Sequence, residues 1–90
     1  MATLKLFGNL RQIAGKPILR VEGQTVNELL KNLRVQQASL VDAILDEMKL
    51  RPYYKIMVNG NDISLQHGLD TAVHEDDVVA IFPPIAGGNT

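Results

Sequence analysis

Val78-Val79-Ala80-Ile81-Phe82 is apolar at every position and runs into Pro83-Pro84-Ile85-Ala86-Gly87-Gly88-Asn89-Thr90. An unbroken, largely β-branched run of this length predicts a strand buried on both faces, near the middle of a sheet. The chain that follows therefore leaves from the heart of the fold. Pro83 and Pro84 fix φ and stiffen that exit. Gly87 and Gly88 lack Cβ atoms, so the segment is thin and takes backbone angles closed to other residues. Such a tail can thread a narrow channel and present a carboxylate to another protein's active site. Asn89 and Thr90 block the carboxylate of Gly88 as an amide, so chemistry there requires their removal.

Working back from this strand, the rest of the chain supplies one sheet and its cover. Thr3 to Phe7 alternates, with Leu4 and Leu6 on one face, which predicts a half-buried strand. Leu10, Ile13 and Ala14 fit a short helical turn before Gly15-Lys16-Pro17, and Ile18 to Val21 fits a second strand, so the two strands form a hairpin. Thr25-Val26-Asn27-Glu28 has capping-box spacing, and Val26, Leu29, Leu30 and Leu33 make one apolar stripe of a helix lying on the sheet. Ser39 with Asp42 repeats the capping spacing. Val41, Ile44, Leu45 and Met48 extend a second helix that Arg51-Pro52 stops. Tyr54 to Val58 is a strand, Asn59-Gly60-Asn61-Asp62 a turn, and Ile63-Ser64-Leu65 a further strand segment. The order β-β-α-β-β around one mixed sheet is an α+β roll.

Composition narrows the function. Ninety residues make one small domain, and 46% hydrophobic residues are too many for a disordered chain. Nine Lys+Arg against ten Asp+Glu give a net charge of −1, which provides no electrostatic reason to expect nucleic acid. No run of about 18 apolar residues is present to span a membrane. Met1 to Lys5 has no secretion-signal pattern, and cytoplasmic residence is expected. The absence of cysteine excludes disulfides, a thiol nucleophile and thiolate metal ligands. His67 and His74 are the two histidines, and no metal site is expected: His74 has Glu75, Asp76 and Asp77 beside it, but neighbours in an extended turn point in different directions. Ser39 reads as a helix cap and Ser64 as a strand residue, with neither a nucleophile elbow nor a phosphate loop. The lysines and arginines are spread as a solvated surface. Phe7 and Phe82 each end an apolar run, and either pack in the core or form a partly exposed docking patch.

With these elements placed, the chain resembles the MoaD/ThiS sulfur-carrier proteins of the ubiquitin-like β-grasp fold. The resemblance rests on Leu4-Lys5-Leu6-Phe7-Gly8-Asn9-Leu10-Arg11-Gln12-Ile13-Ala14-Gly15, on Thr25-Val26-Asn27-Glu28-Leu29-Leu30, on Met57-Val58-Asn59-Gly60, and above all on Asp76 to Gly88. It implies a β-grasp domain over residues 1–84 and a flexible tail over 85–90. It also implies that an E1-like adenylating enzyme uses ATP and Mg to activate the Gly88 carboxylate, that a sulfur donor converts it to a thiocarboxylate, and that a synthase accepts the sulfur. The carrier is then a protein co-substrate, not an enzyme, and binds no cofactor itself. Gly87 and Gly88 thread the partner, while Phe7, Arg11 and Phe82 match partner-facing positions. The F-P-P tail is similar to that of the molybdopterin synthase small subunit. Asn89-Thr90 departs from the family's usual Gly-Gly ending and implies a precursor trimmed by a JAMM-type metalloprotease, as in relatives serving cysteine, methionine or siderophore biosynthesis. The alternatives are a molybdopterin synthase small subunit proper, a ubiquitin-like modifier conjugated through Gly88, and a plain β-grasp binding module.

Overall fold

Alternation along Ala2–Leu6 produces strand β1, with Ala2, Leu4 and Leu6 buried and Lys5 exposed. The computed structural model describes residues 1–84. After β1 come helix α1 (Asn9–Ala14), strand β2 (Ile18–Val21), helices α2 (Val26–Gln36) and α3 (Ala38–Ile44), and strands β3 (Leu45–Asp46) and β4 (Lys49–Leu50). Strands β5 (Lys55–Val58), β6 (Asn61–Asp62) and β7 (Val78–Phe82) complete the elements of the described residues, with 3-10 turns at Ile63–Leu65 and Gly68–Asp70. Five strands form a mixed sheet in the order β2-β1-β7-β5-β6. The expected hairpin is present as antiparallel β1 and β2, joined through α1. Strand β7 lies parallel to β1 and antiparallel to β5, so it is central, as its apolar run predicts.

The double burial expected of β7 does not hold. Val79 and Ile81 are buried, but Val78, Ala80 and Phe82 are only half-buried. The reason is the layering. Inward residues of the strands join Leu29, Leu30, Leu33 and Ile44 of α2 and α3 in one cluster, which covers a single face of the sheet. Among the described residues, the outward residues of β7 are shielded by their neighbours on adjacent strands.

Helix α2 follows its stripe, with Val26, Leu29, Leu30 and Leu33 all buried. Thr25 Oγ1 accepts from the Glu28 backbone N–H at 3.1 Å. The reciprocal bond is displaced by one residue: Glu28 Oε1 accepts from the N–H of Gln24, at 2.8 Å. The second helix is shorter than expected. It ends at Ile44, and its N-cap is Gln37, with no side-chain cap, so Ser39 lies inside the helix and caps nothing. Leu45 and Met48 do not continue the stripe, because residues 45–50 turn back as the β3-β4 hairpin. Glu47 and Met48 make that turn at φ 52° and 68°, leaving Met48 exposed. The turn after β5 is also tighter than expected. Asn59 and Gly60 make it, at φ 50° and 86°, and Asn61-Asp62 already pair back onto β5. Ile63-Ser64-Leu65 is a 3-10 turn, not a strand, capped by Asp62, whose Oδ1 accepts from Ser64 N–H at 2.9 Å.

At the entry to β7, Asn59 acts as a clasp. Its Nδ2 donates to Asp77 Oδ1 at 2.9 Å, its Oδ1 accepts from Val78 N–H at 2.9 Å, and its own N–H donates to Val78 O at 2.8 Å. The Asn59 amide, and next the His74 backbone N–H on Asp77 Oδ2 at 2.8 Å, hold the Asp77 carboxyl below the usual carboxylate range. A group with a folded pKa below its unfolded value contributes stability above that unfolded value, near 4, and loses it as pH falls through the folded one. Asp77→Asn should therefore lower the urea midpoint at pH 7, and the gap to the natural protein should narrow as pH drops below ~4. A gap that stays constant with pH would show that the Asp77 charge plays no part in the clasp.

Candidate functional site

The site grows from the ends of β1 and β7. Their parallel register pairs Leu6 with Ile81, so the next residues, Phe7 and Phe82, meet side by side. Their rings stack with centroids 4.4 Å apart and planes 13° from parallel. Offset stacking of this kind adds ~0.5–1.5 kcal/mol beyond the buried area. Neither of the two expectations for these residues holds alone, since the rings pack on each other while Phe7 stays 36% exposed.

Immediately after Phe7, the chain turns at Gly8 (φ 61°, ψ −139°) to start α1. The carbonyls of Phe7 and Gly8 accept from the N–H groups of Leu10 and Arg11, at 3.3 and 3.2 Å. Arg11 thus stands on the first turn of α1, exposed and close in sequence to the stacked pair. On the other side of Phe82, Lys55 of β5 is its register partner. The Lys55 ammonium lies 3.7 Å from Asp62 Oδ2. The Asp62 carboxyl sits below the usual range, chiefly because it accepts from the Ser64 N–H, with Lys55 adding attraction.

Below the aromatic pair, the uncovered sheet face carries Ile18, Lys5, Ala80 and Met57 in one cross-strand row. Ile18 is 49% exposed, an apolar side chain at an outward strand position. The tail end of the sheet therefore offers an apolar surface with Lys5, Arg11 and Lys55 around it. Glu75, Asp76 and Asp77 gather at the opposite end, where β7 begins, with Glu75 3.6 Å from the N-terminal amine and Asp76 3.9 Å from Arg20. A basic end and an acidic end orient an approaching partner of complementary charge.

The sequence reading named Phe7, Arg11 and Phe82, and the structure gathers all three at the tail end. It did not name Ile18, Lys5, Ala80 or Met57. The usable signal was Ile18, which breaks the apolar-in, polar-out alternation of β2 by putting isoleucine outward. Gly87 and Gly88, with Asn89 and Thr90, lie outside the described residues. Among the described residues, no group of three or more His, Asp or Glu could hold a metal, and no helix is long and apolar enough to cross a membrane. An open cleft of about 650 Å³ lies at the far end, lined by Met1, Glu22, Glu28 and His74 among others. Two of its carboxylates are engaged structurally: Glu28 accepts from the Gln24 N–H at the start of α2, and Glu75 pairs with the N-terminus.

Comparison with known proteins bears on the family and the fold. The profile of the ThiS family matches residues 4–88. Small archaeal modifier protein 3 of Haloferax volcanii is 28% identical over 88 residues, covering 94% of this chain and 96% of that protein. A chain of the crystal structure of the Amycolatopsis orientalis BexX/CysO complex superposes with a TM-score of 0.90 at 27% identity, covering 98% of this chain and 100% of that one. The solution structure of small archaeal modifier protein 1 from Methanosarcina acetivorans gives 0.84 at 35% identity, covering 97% and 95%. The mixed sheet with its helical cover is the ubiquitin-like β-grasp, and the chain belongs to the ThiS family, among its sulfur carriers and ubiquitin-like modifiers.

Proposed function

We propose that this chain is a sulfur carrier whose reactive end is the Gly88 carboxylate, freed by removal of Asn89-Thr90. The observation that carries this reading is the exit of the chain from a central strand, with Phe82 stacked on Phe7 at the basic, partly apolar end of the sheet. A tail that starts from such a fixed point can be offered repeatedly to one kind of partner. That partner is an E1-like adenylating enzyme, docking on Phe7, Arg11 and Phe82. The carboxylate oxygen of Gly88 attacks the α-phosphorus of Mg-bound ATP and pyrophosphate leaves. A sulfide-level donor then attacks the acyl carbon and AMP leaves, giving the thiocarboxylate. The sulfur passes to an acceptor held by a synthase, and water returns the acyl carbon to a carboxylate. The chain contributes no acid or base. It supplies the docking surface and the tail, and a metalloprotease of the JAMM type supplies the trimming.

A second reading is favoured by one relative in particular. The Haloferax volcanii match, over nearly the whole chain, is named a modifier protein. On that reading a lysine amine of a target attacks the same adenylate-derived acyl group, and an isopeptide bond forms. Stable conjugates in extracts of the host would favour it, and a thiocarboxylate without conjugates would favour the carrier.

Gly87→Val tests the threading step. A branched side chain cannot follow where Gly-Gly passes, so activation of a chain ending at Gly88 should fall by ~10²-fold or more. The melting temperature should hardly move. A large loss of stability instead would make these glycines structural.

A further inference from the structure

Gly8 and Pro83 come from opposite ends of the chain and meet. A Cβ placed on Gly8 would stand 2.8 Å from Pro83 Cγ and 3.6 Å from Pro83 Cδ. The first distance is closer than non-bonded carbons approach, so the ring of Pro83 occupies space that only a missing side chain provides. The backbone of Gly8, at φ 61° and ψ −139°, belongs to the region that glycine populates and other residues avoid. Gly8 is held from both sides. Phe7 before it is stacked on Phe82, and its own carbonyl accepts from Arg11 N–H at the start of α1. Pro83 in turn has its φ fixed by its ring. Two rigid parts in contact define one direction.

We propose that Gly8 is a positioning residue: it seats the Pro83 ring and so sets the direction in which the chain leaves β7 on the way to Gly88. Its consequence for activation rests on the carrier reading above, whereas the seat itself does not. A side chain at position 8 must displace the Pro83 ring, and with it the direction in which the chain leaves β7. Misplacement of a reacting group by about 1 Å costs up to ~10²-fold in rate. The Gly8→Ala contact is with the edge of one ring, so a loss of ~10-fold in kcat/KM is expected for a chain ending at Gly88.

The test is a double-mutant cycle of Gly8→Ala with Pro83→Ala. The second change deletes Cγ and Cδ, the two atoms that an added Cβ would meet. In the natural background Gly8→Ala should lower kcat/KM of activation about tenfold. In the Pro83→Ala background the same step should cost less than about threefold, because the atoms it displaces are gone. Equal losses in both backgrounds would overturn the proposal and leave Gly8 as a residue needed only for its backbone angles. A second readout needs no activating enzyme. Cross-peaks from the Gly8 Hα protons to the Pro83 ring protons are expected by NMR. The Cα–Hα residual dipolar couplings of Pro83 and Pro84 should change in Gly8→Ala while those of β1 do not. Missing cross-peaks, or unchanged couplings, would overturn the seat whatever the kinetics show. Cross-peaks in a protein that no activating enzyme accepts would uphold the seat and remove the carrier reading instead.

Discussion

On the carrier reading, a chain that stops at Gly88 is expected to be adenylated by an E1-like enzyme, and the 90-residue chain is expected to show only background activity. The reason is the nucleophile. In the longer chain the Gly88 carbonyl is an amide, which lacks the anionic oxygen needed to attack ATP. On the same reading, the terminal carboxylate of the 90-residue chain has that oxygen, but it lies two residues past Gly88 and would bring the side chains of Asn89 and Thr90 where the proposal has only glycine pass. A difference of ~10³-fold or more in kcat/KM corresponds to about 4 kcal/mol of transition-state binding. ATP–pyrophosphate exchange with each chain reads it directly. Equal exchange would mean that the residues after Gly88 are no block, and the precursor idea would fail.

The second large effect concerns stability. Gly23 sits in the loop between β2 and α2, in ordinary backbone conformation, and it is packed against helix backbone. A Cβ there would lie 2.6 Å from both the N and the Cα of Leu29 and 2.9 Å from its Cβ. Leu29 cannot yield, because it is fully buried beneath the sheet. The loop cannot yield easily either: Glu22 O accepts from Asn32 Nδ2 at 2.8 Å, Gln24 N–H is bonded to Glu28, and Gln24 O accepts from Val73 N–H at 2.9 Å. Overpacking usually costs ~1–3 kcal/mol, and a clash with backbone falls at the upper end. For a domain of this size the whole unfolding free energy is only ~5–13 kcal/mol, so Gly23→Ala should lower the melting temperature by roughly 10–20 °C. Gly60→Ala is the control. It meets nothing within 4 Å and carries only the strain of φ +86°, for which ~1 kcal/mol is expected. A Gly23→Ala protein as stable as the Gly60→Ala one would mean that the α2 backbone does not press on this loop.

Local chemistry made part of this fold readable. The apolar run Val78–Phe82 announced a central strand, and β7 is central, although the burial on both faces from which that position was argued does not hold. Helix α2 was readable from the Thr25 cap and its apolar spacing. The β3-β4 hairpin was not readable, for a physical reason. Ile44, Leu45 and Met48 satisfy helical spacing, and the turn is made by Glu47 and Met48, which lack the glycine or asparagine that normally marks positive φ. Tertiary packing there overrides local preference. It buries Leu45, packs a partly buried Leu50 against the core and leaves Met48 in solvent.

The candidate site divides in the same way. Phe7 and Phe82 stood out as single residues and Arg11 came only from the family resemblance, but the meeting of the two rings follows from a parallel register between the first and last strands, which no local pattern encodes. The Gly8–Pro83 contact is a further product of that register. The open sheet face was missed because β7 is apolar on both sides, and its alternation was therefore silent. Only Ile18, isoleucine at an outward position, hinted that the second face also has work to do.

The carrier reading is tested most directly by the intact mass of the protein recovered from its own host under conditions that demand sulfur transfer. It predicts a chain ending at Gly88, lighter by Asn and Thr, with one carboxylate oxygen replaced by sulfur. A population that keeps Asn89-Thr90 and carries no sulfur under those conditions would contradict it.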